Sequence, residues 1–465
     1  MSSKIKITRD KLIALVKESW AISWPMALIM LFEFFMGLTD VFVAGKIGKE
    51  IQAAYGLAFQ LFLAGLIPAI AFTAGTVSVI SRLFTASECK DSVDTLQCTD
   101  EAALRKAIFS SIAATILMGV IMGLLGFVFS PAVATLLNIP AVIKDNSSQL
   151  ARIYAIGFIF EFFLINSNGI LRSCGKVKVS LRNYACICAL NVVLNFLLVF
   201  VVKLGFRGIA IATVISVCVG TLLNAYAMRK YLGLRKFSVY HLKEMARIGW
   251  PIGILQILWN LASLVIFSIL ARLPRDSIEV IAAYTNGLKV ESAIFLPVFA
   301  FNMANAVVVG NLLGKGKKDE AYTGGIITAG LGMAITLVMS AVVIFNARNI
   351  MLLLSNNAQV IRHGSMYLYI SLIFEPIMAW GVILGGGLAG AGYTKQVLAA
   401  VALSIWVIRV PLCFFLGIVL GTGPTGIWWA LNASIIVQCA FMCYFYFRKM
   451  KPASSASPAC DEPSA

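Results

Sequence analysis

The chain has 465 residues, 60% of them hydrophobic and 13% charged, with a mean hydropathy of +0.89. Soluble domains run near ~25% charged and ~45–50% apolar, so an ordinary soluble enzyme is excluded and the surplus apolar surface calls for a bilayer. The net charge of +17 comes from 38 Lys+Arg against 21 Asp+Glu; it points to nucleic acid or to a membrane surface, depending on where the charges sit.

The first segment, 1–21, is Lys-rich and too polar for the apolar stretch of a signal peptide. Leu12, Ile13, Leu15 and Val16 between lysines read as a short amphipathic helix on the membrane surface. A crossing helix needs roughly 20 apolar residues. Such stretches follow at 22–45, 52–84, 106–129, 150–171, 179–202 and 207–228. After a linker at 229–245 come six more, at 246–271, 280–313, 322–346, 365–390, 396–420 and 425–447. Several exceed ~25 residues, which implies tilt, kinks or protruding ends. None alternates with period two, which excludes a β-barrel. The tail, 448–465, is Pro/Ser/Ala-rich from Pro452 and reads as disordered. The expected fold is all-α and integral to the membrane, with twelve spans in two six-helix lobes, 22–228 and 246–447.

Twelve spans put both termini on one side. With that side cytoplasmic, 26 of the Lys+Arg lie inside and 10 outside, while Lys289 and Arg409 lie within spans. This excess follows the positive-inside rule, and the nucleic-acid reading falls away. The expectation is a multi-pass plasma-membrane protein, in a bacterial inner membrane, monomeric, with both termini cytoplasmic.

The halves resemble each other. Trp24-Pro25 returns as Trp250-Pro251, 226 residues later, and Ala53-Ala54-Tyr55 returns as Ala282-Ala283-Tyr284 at an offset of 229. Pro68 and Pro297 share that offset. The run Leu171–Lys178 echoes Leu388–Lys395, and Gly205–Ile209 echoes Gly423–Ile427. Prolines placed alike within spans are the most telling, because each removes a backbone hydrogen bond that hydrocarbon cannot replace. An even number of spans per half makes the repeat parallel, about an axis along the membrane normal, as in rocking secondary transporters.

Several of these stretches, namely Gly37–Gly45, the Leu171-Arg-Ser-Cys-Gly-Lys turn, Gly310–Gly316 followed by Ala321, and Gly423–Ala430, resemble the multidrug and toxic compound extrusion (MATE) family over residues 10–450. Each motif is loose; their order and spacing are specific.

Ionisable groups inside a span are costly and mark function by default. They are Glu33, Asp40 and Glu161 in the first half, and Lys289, Glu291, Glu375 and Arg409 in the second. The first half thus shows three acids and no base, whereas Lys289 and Arg409 can pair with Glu291 and Glu375. Unpaired acids in hydrocarbon must carry a proton or hold a cation. Asp40 follows Glu33 by seven residues, about two helical turns, so both share a face roughly 10 Å apart. Asn191 and Asn195 are one turn apart on span 5, with Asn168 on span 4 and Thr213 on span 6 adding oxygens. One carboxylate with amide and hydroxyl oxygens suits a proton or a hard cation; bridging of helices by the same amides is the blander reading.

The resemblance points the same way. It implies an N-lobe site of a span-1 Asp, an Asn and an Asp four apart on span 5, and a span-6 Thr, matched by Asp40, Asn191 and Thr213. Asn195 stands where the second acid is expected, which weakens sodium binding and favours a proton. Trp259 stands where a NorM-like span-7 acid is expected, and Glu375 sits about one turn from the span-10 position. Pro25 resembles a proline tied to bending of span 1, although a Pro near a helix start needs no function.

Other signals fail. Gly310–Lys318 lacks phosphate-loop spacing. No His/Cys/Asp grouping has zinc spacing, so the metal expectation is limited to sodium at the Asp40 site. Cys89 and Cys98 share a loop assigned to the reducing side, and Asn146-Ser-Ser148 is a sequon in an outer loop. The expected activity is a cofactor-free, cation-coupled antiporter, proton over sodium, exporting organic cations or amphipathic drugs and not an enzyme. The alternative is a flippase for lipid precursors or lipid-linked oligosaccharides, which calls for a cationic cavity, whereas the span charges here sum to −3.

Overall fold

A computed structural model describes residues 9–88, 94–136, 141–231, 237–355 and 357–451. Among the described residues every element is helical, and twelve helices are long and apolar enough to cross a membrane. They run Arg9–Ile47, Ala54–Thr85, Glu101–Ser130, Lys144–Ser173, Val177–Val201, Arg207–Met228, Val239–Ala271, Ser277–Gly314, Lys318–Leu354, Ala358–Gly390, Thr394–Val419 and Gly423–Met450, and are called spans 1 to 12. Residues 1–8, Cys89, the side chain of Cys98 and the tail beyond Lys451 lie outside what is described.

Two expectations need correction. The surface helix around Leu12–Val16 is not separate: helix Arg9–Ile47 is continuous, because no Gly or Pro between Arg9 and Trp24 interrupts it. Span 2 is two helices, Lys49–Gly65 and Ile67–Glu88, broken at Leu66. Pro68 causes the break, since it lacks the N–H that would reach back one turn. Pro25, Pro251, Pro297 and Pro376 stay inside unbroken helices.

Spans 5 and 11 depart from the α-helix. Span 5 ends in a π-helical stretch, Leu197–Val201. Span 11 has two, Leu403–Arg409 and Phe415–Val419. The second matches that of span 5 at an offset of 218; the first has no partner in span 5. A π-turn absorbs one extra residue. It accounts for the offset growing from 217 at Lys178/Lys395 to 218 at Gly205/Gly423.

Two buried clusters, around Phe62 and Phe158 and around Ile29 and Ile187, draw their cores from the first six spans. Another, around Tyr284 and Trp428, belongs to the last six. The halves meet where Met26, Val77 and Val177 pack on Ala300, Ala304 and Val307. Close approach depends on glycine: a Cβ on Gly75 would strike the Met245 carbonyl, and one on Gly249 the Ala71 carbonyl. Ser78 Oγ donates to Gly390 O at 2.9 Å, Thr328 Oγ1 to Ser19 Oγ at 2.9 Å, and Arg82 pairs with Glu244 at 3.5 Å. These contacts hold the halves together on the side of the molecule that carries the termini. The halves are therefore shut on that side.

Candidate functional site

Asp40 lies near the far end of span 1, only 3% exposed. Burial without counter-charge is tolerable because three donors meet it. Asn195 Nδ2 donates to Oδ1 at 2.7 Å, and Thr213 Oγ1 and Tyr55 Oη donate to Oδ2 at 3.2 and 3.3 Å. Asn191 completes the shell: its Nδ2 donates to Thr213 Oγ1 at 3.3 Å, and its Oδ1 accepts from Asn195 Nδ2 at 3.1 Å. Among the described residues, two buried groups at the site make no hydrogen bond, Asn195 Oδ1 and the hydroxyl of Tyr154, which lies beside Tyr55 and Thr213. Protonation of Asp40 would turn an acceptor oxygen into a donor. That new O–H meets a shell made of donors from spans 2, 5 and 6, so a proton here favours a rearrangement of those side chains. The oxygens a sodium ion would need are those of Asp40, Asn191, Asn195 and Thr213. Among the described residues no group of three or more His, Cys, Asp or Glu is placed to hold a metal.

Two residues expected in this site lie elsewhere. Asn168 accepts from Ser180 Oγ at 2.6 Å and Asn224 Nδ2 at 3.0 Å, in a separate polar knot with Asn183 and Ser167. Glu33 does not share the Asp40 site. It is exposed, since it lies on the open side of span 1, and groups with Tyr184, Arg172 and Glu161. Arg172 also corrects the count of charges: it is buried, 8% exposed, and reaches Met303 Sδ of the other half at 3.4 Å. The first half therefore has one base within reach of its acids. Placed at the end of span 4, Arg172 reads in sequence as a flanking charge; its long side chain turns inward instead.

In the second half, Glu291, Glu375 and Arg409 line one cavity of about 110 Å³ with Tyr284, Tyr367 and Trp259. Glu291 and Glu375 are 5% and 1% exposed. Tyr367 and Ser371 face Glu291. Arg409 Nε donates to Ser434 Oγ at 2.7 Å, and its guanidinium lies 5.5 Å from the Trp259 ring centroid. Among the described residues no ion pair joins Arg409 to either acid. Lys289 does not join the cluster, being exposed on the opposite side of span 8 from Glu291; two residues along a helix turn a side chain by about 200°.

The repeat aligns the two sites. At the offsets carried by the shared motifs, Tyr55 corresponds to Tyr284, Asp40 to Ile266, Glu33 to Trp259 and Asn191 to Arg409. Phe62 and Phe158, stacked at 5.0 Å, correspond to Glu291 and Glu375.

A model of the family described as MatE matches residues 25–197 and 251–415, more than half of the chain. The chain belongs to the MatE family. Its members are membrane transporters rather than enzymes. A relative from Thermotoga maritima, named as a probable multidrug resistance protein NorM, is 23% identical over 426 residues, 89% of this chain and 88% of the relative. Solved structures share the fold. One, a transporter of the MOP superfamily from Pyrococcus furiosus described as having a binding pocket of reversed polarity, superposes with a TM-score of 0.85 at 20% identity, covering 96% of this chain and 99% of its own. Another, a multidrug resistance MATE transporter in an outward-facing conformation, gives 0.85 at 19% identity over the same shares.

In this MatE-family chain the residues that sequence reasoning passes over are mostly tyrosines. Tyr55 and Tyr284 stand in the repeated Ala-Ala-Tyr motif, so the signal was present as a marker of duplication rather than of chemistry. Tyr154, Tyr184 and Tyr367 carry no such mark. An aromatic in an apolar span reads as packing until a neighbour shows where its hydroxyl points.

Proposed function

We propose that this MatE-family transporter is a cation-coupled antiporter that exports organic cations or amphipathic compounds by alternating access. Its termini are cytoplasmic, and it resides in a plasma membrane. The observation that carries the reading is the buried Asp40, met by donors from three other spans. Loading one proton adds a donor to a shell of donors and favours its rearrangement, which gives a route from ion occupancy to helix packing. Coupling requires that ion and substrate favour different states. The proton is favoured over sodium because the site holds one carboxylate, with Asn195 in the place of a second. Closure on the terminal side and exposure of Glu33 and the partly exposed Glu161 support an outward-open cavity that receives positive charge. Pro25, inside span 1 on the same helix as Asp40, is the position where that helix would bend. The flippase reading is the weaker one, since the base beside the cleft, Arg172, is set against the acid Glu33.

The test is exchange in liposomes driven separately by a pH gradient and a sodium gradient, with the native chain and Asp40→Asn. The expected result is uphill transport driven by the pH gradient and lost in the variant. Uphill transport retained by Asp40→Asn would remove Asp40 from the mechanism.

A further inference from the structure

On the closed side, spans 2 and 7 and the turn between spans 10 and 11 enclose a cavity of about 320 Å³, away from both sites described above. Its charged lining is Arg82, Arg247 and Lys395 against Glu244 alone. Arg82 is pre-oriented: Nε donates to Ser78 O at 2.9 Å and Nη2 to Ser78 Oγ at 3.2 Å, with Glu244 at the edge of contact, 3.5 Å away. Its Nη1 donates to no protein acceptor among the described residues. Arg247 and Lys395 are exposed and have no carboxylate partner there. Lys395 Nζ sits 5.9 Å from the Trp250 ring centroid, and Lys449 Nζ sits 5.8 Å from that of Tyr393, a lining residue. Cations turned into one concavity repel each other unless an anion joins them. A guanidinium with a free edge beside flexible cationic heads is the arrangement that takes phosphate oxygens. Trp250, 46% exposed beside the cavity, has the amphipathic character of a residue at headgroup depth.

We infer that this cavity binds a phosphate group, supplied by an anionic phospholipid. Arg82 belongs to one lobe, and Arg247 and Lys395 to the other. A bound phosphate therefore ties the lobes together on this side and favours the state shut there. This last consequence, unlike the binding itself, rests on the alternating-access reading.

Thermal unfolding of the purified full chain in detergent tests the binding, with phosphatidylglycerol, phosphatidylcholine or inorganic phosphate added. Phosphatidylglycerol is expected to raise the midpoint and phosphatidylcholine to leave it unchanged. Each cation near a lipid surface weighs roughly fivefold in affinity, so Arg247→Gln with Lys395→Gln is expected to weaken the effect about thirtyfold. A rise with inorganic phosphate that depends on the same two residues supports the site and assigns it to free phosphate. No rise with either phosphate source, or a rise undiminished in the double variant, overturns the site. Spin-label distances between spans 2 and 7 on this side are expected to narrow with phosphatidylglycerol, and an unchanged distribution overturns the tie between lobes. Because unfolding needs no transport, failure of the antiport reading would leave the binding result standing.

Discussion

The two lobes repeat one scaffold around one tyrosine and fill it with opposite charge patterns. Around Tyr55 the first lobe sets a single acid among amides and hydroxyls, backed by the stacked Phe62 and Phe158. Around Tyr284 the second lobe has Ile266 where the acid was, Arg409 where Asn191 was, and two acids where the phenylalanines were. Tyr284 stacks on Trp428 at 5.5 Å, but its hydroxyl makes no hydrogen bond among the described residues. A duplicated fold thus preserves helix order and packing while the polar groups change place. In the first lobe a lone charge is stabilised by neutral donors. In the second, acids and a base share a cavity, so a proton there changes the balance of a charged group already partly compensated. The extra π-turn at Leu403–Arg409 is the local device that separates them. It inserts one residue into span 11 and brings Arg409, rather than Ile408, to the position facing the tyrosine.

Six substitutions break or sharpen this contrast. Arg409→Met should be the most damaging, at about 3 kcal/mol in thermal or denaturant unfolding, because it leaves two buried acids without their base. Adding Glu375→Gln should recover part of that loss. A silent Arg409→Met would mean that the second cavity is not held by charge. Asn195→Asp should act on the first lobe by restoring a second carboxylate. Exchange driven by a sodium gradient should rise about tenfold, a coupling change of about 1.4 kcal/mol, measured in liposomes at fixed pH. Tyr55→Phe removes a donor from Asp40 and should cost about 1 kcal/mol, or roughly fivefold in proton-driven exchange. Tyr284→Phe, at the matching position with no such bond, should leave exchange nearly unchanged; equal effects would erase the distinction between the lobes. Lys289→Gln should be smallest, within about 0.5 kcal/mol of the native stability, since its side chain is exposed and unpaired among the described residues.

Much of this could be anticipated from the residues in order. Hydrophobic length marked all twelve spans because a helix in hydrocarbon must satisfy its own backbone. The spacing of Asn191 and Asn195 placed both amides on one face, and the structure sets both around Asp40 and Thr213. The same logic failed for Asn168 and Glu33. A one-turn or two-turn spacing fixes a side of a helix, not which neighbour that side meets. Asn168 meets Asn224, and Glu33 meets Tyr184 across the open side.

Hydropathy, charge bias and repeated motifs, all local along the chain, were enough for the class of molecule, its number of spans and its duplication. They also supplied the expectation of which side holds the termini. The company each charge keeps depended on the packing of helices distant in sequence. Arg172 joins the cleft, Lys289 leaves the second site, tyrosines rather than further acids surround the carboxylates, and Arg82 meets Arg247 and Lys395 across the lobes. Periodicity says that a side chain faces inward; only the crossing of two helices says what stands opposite.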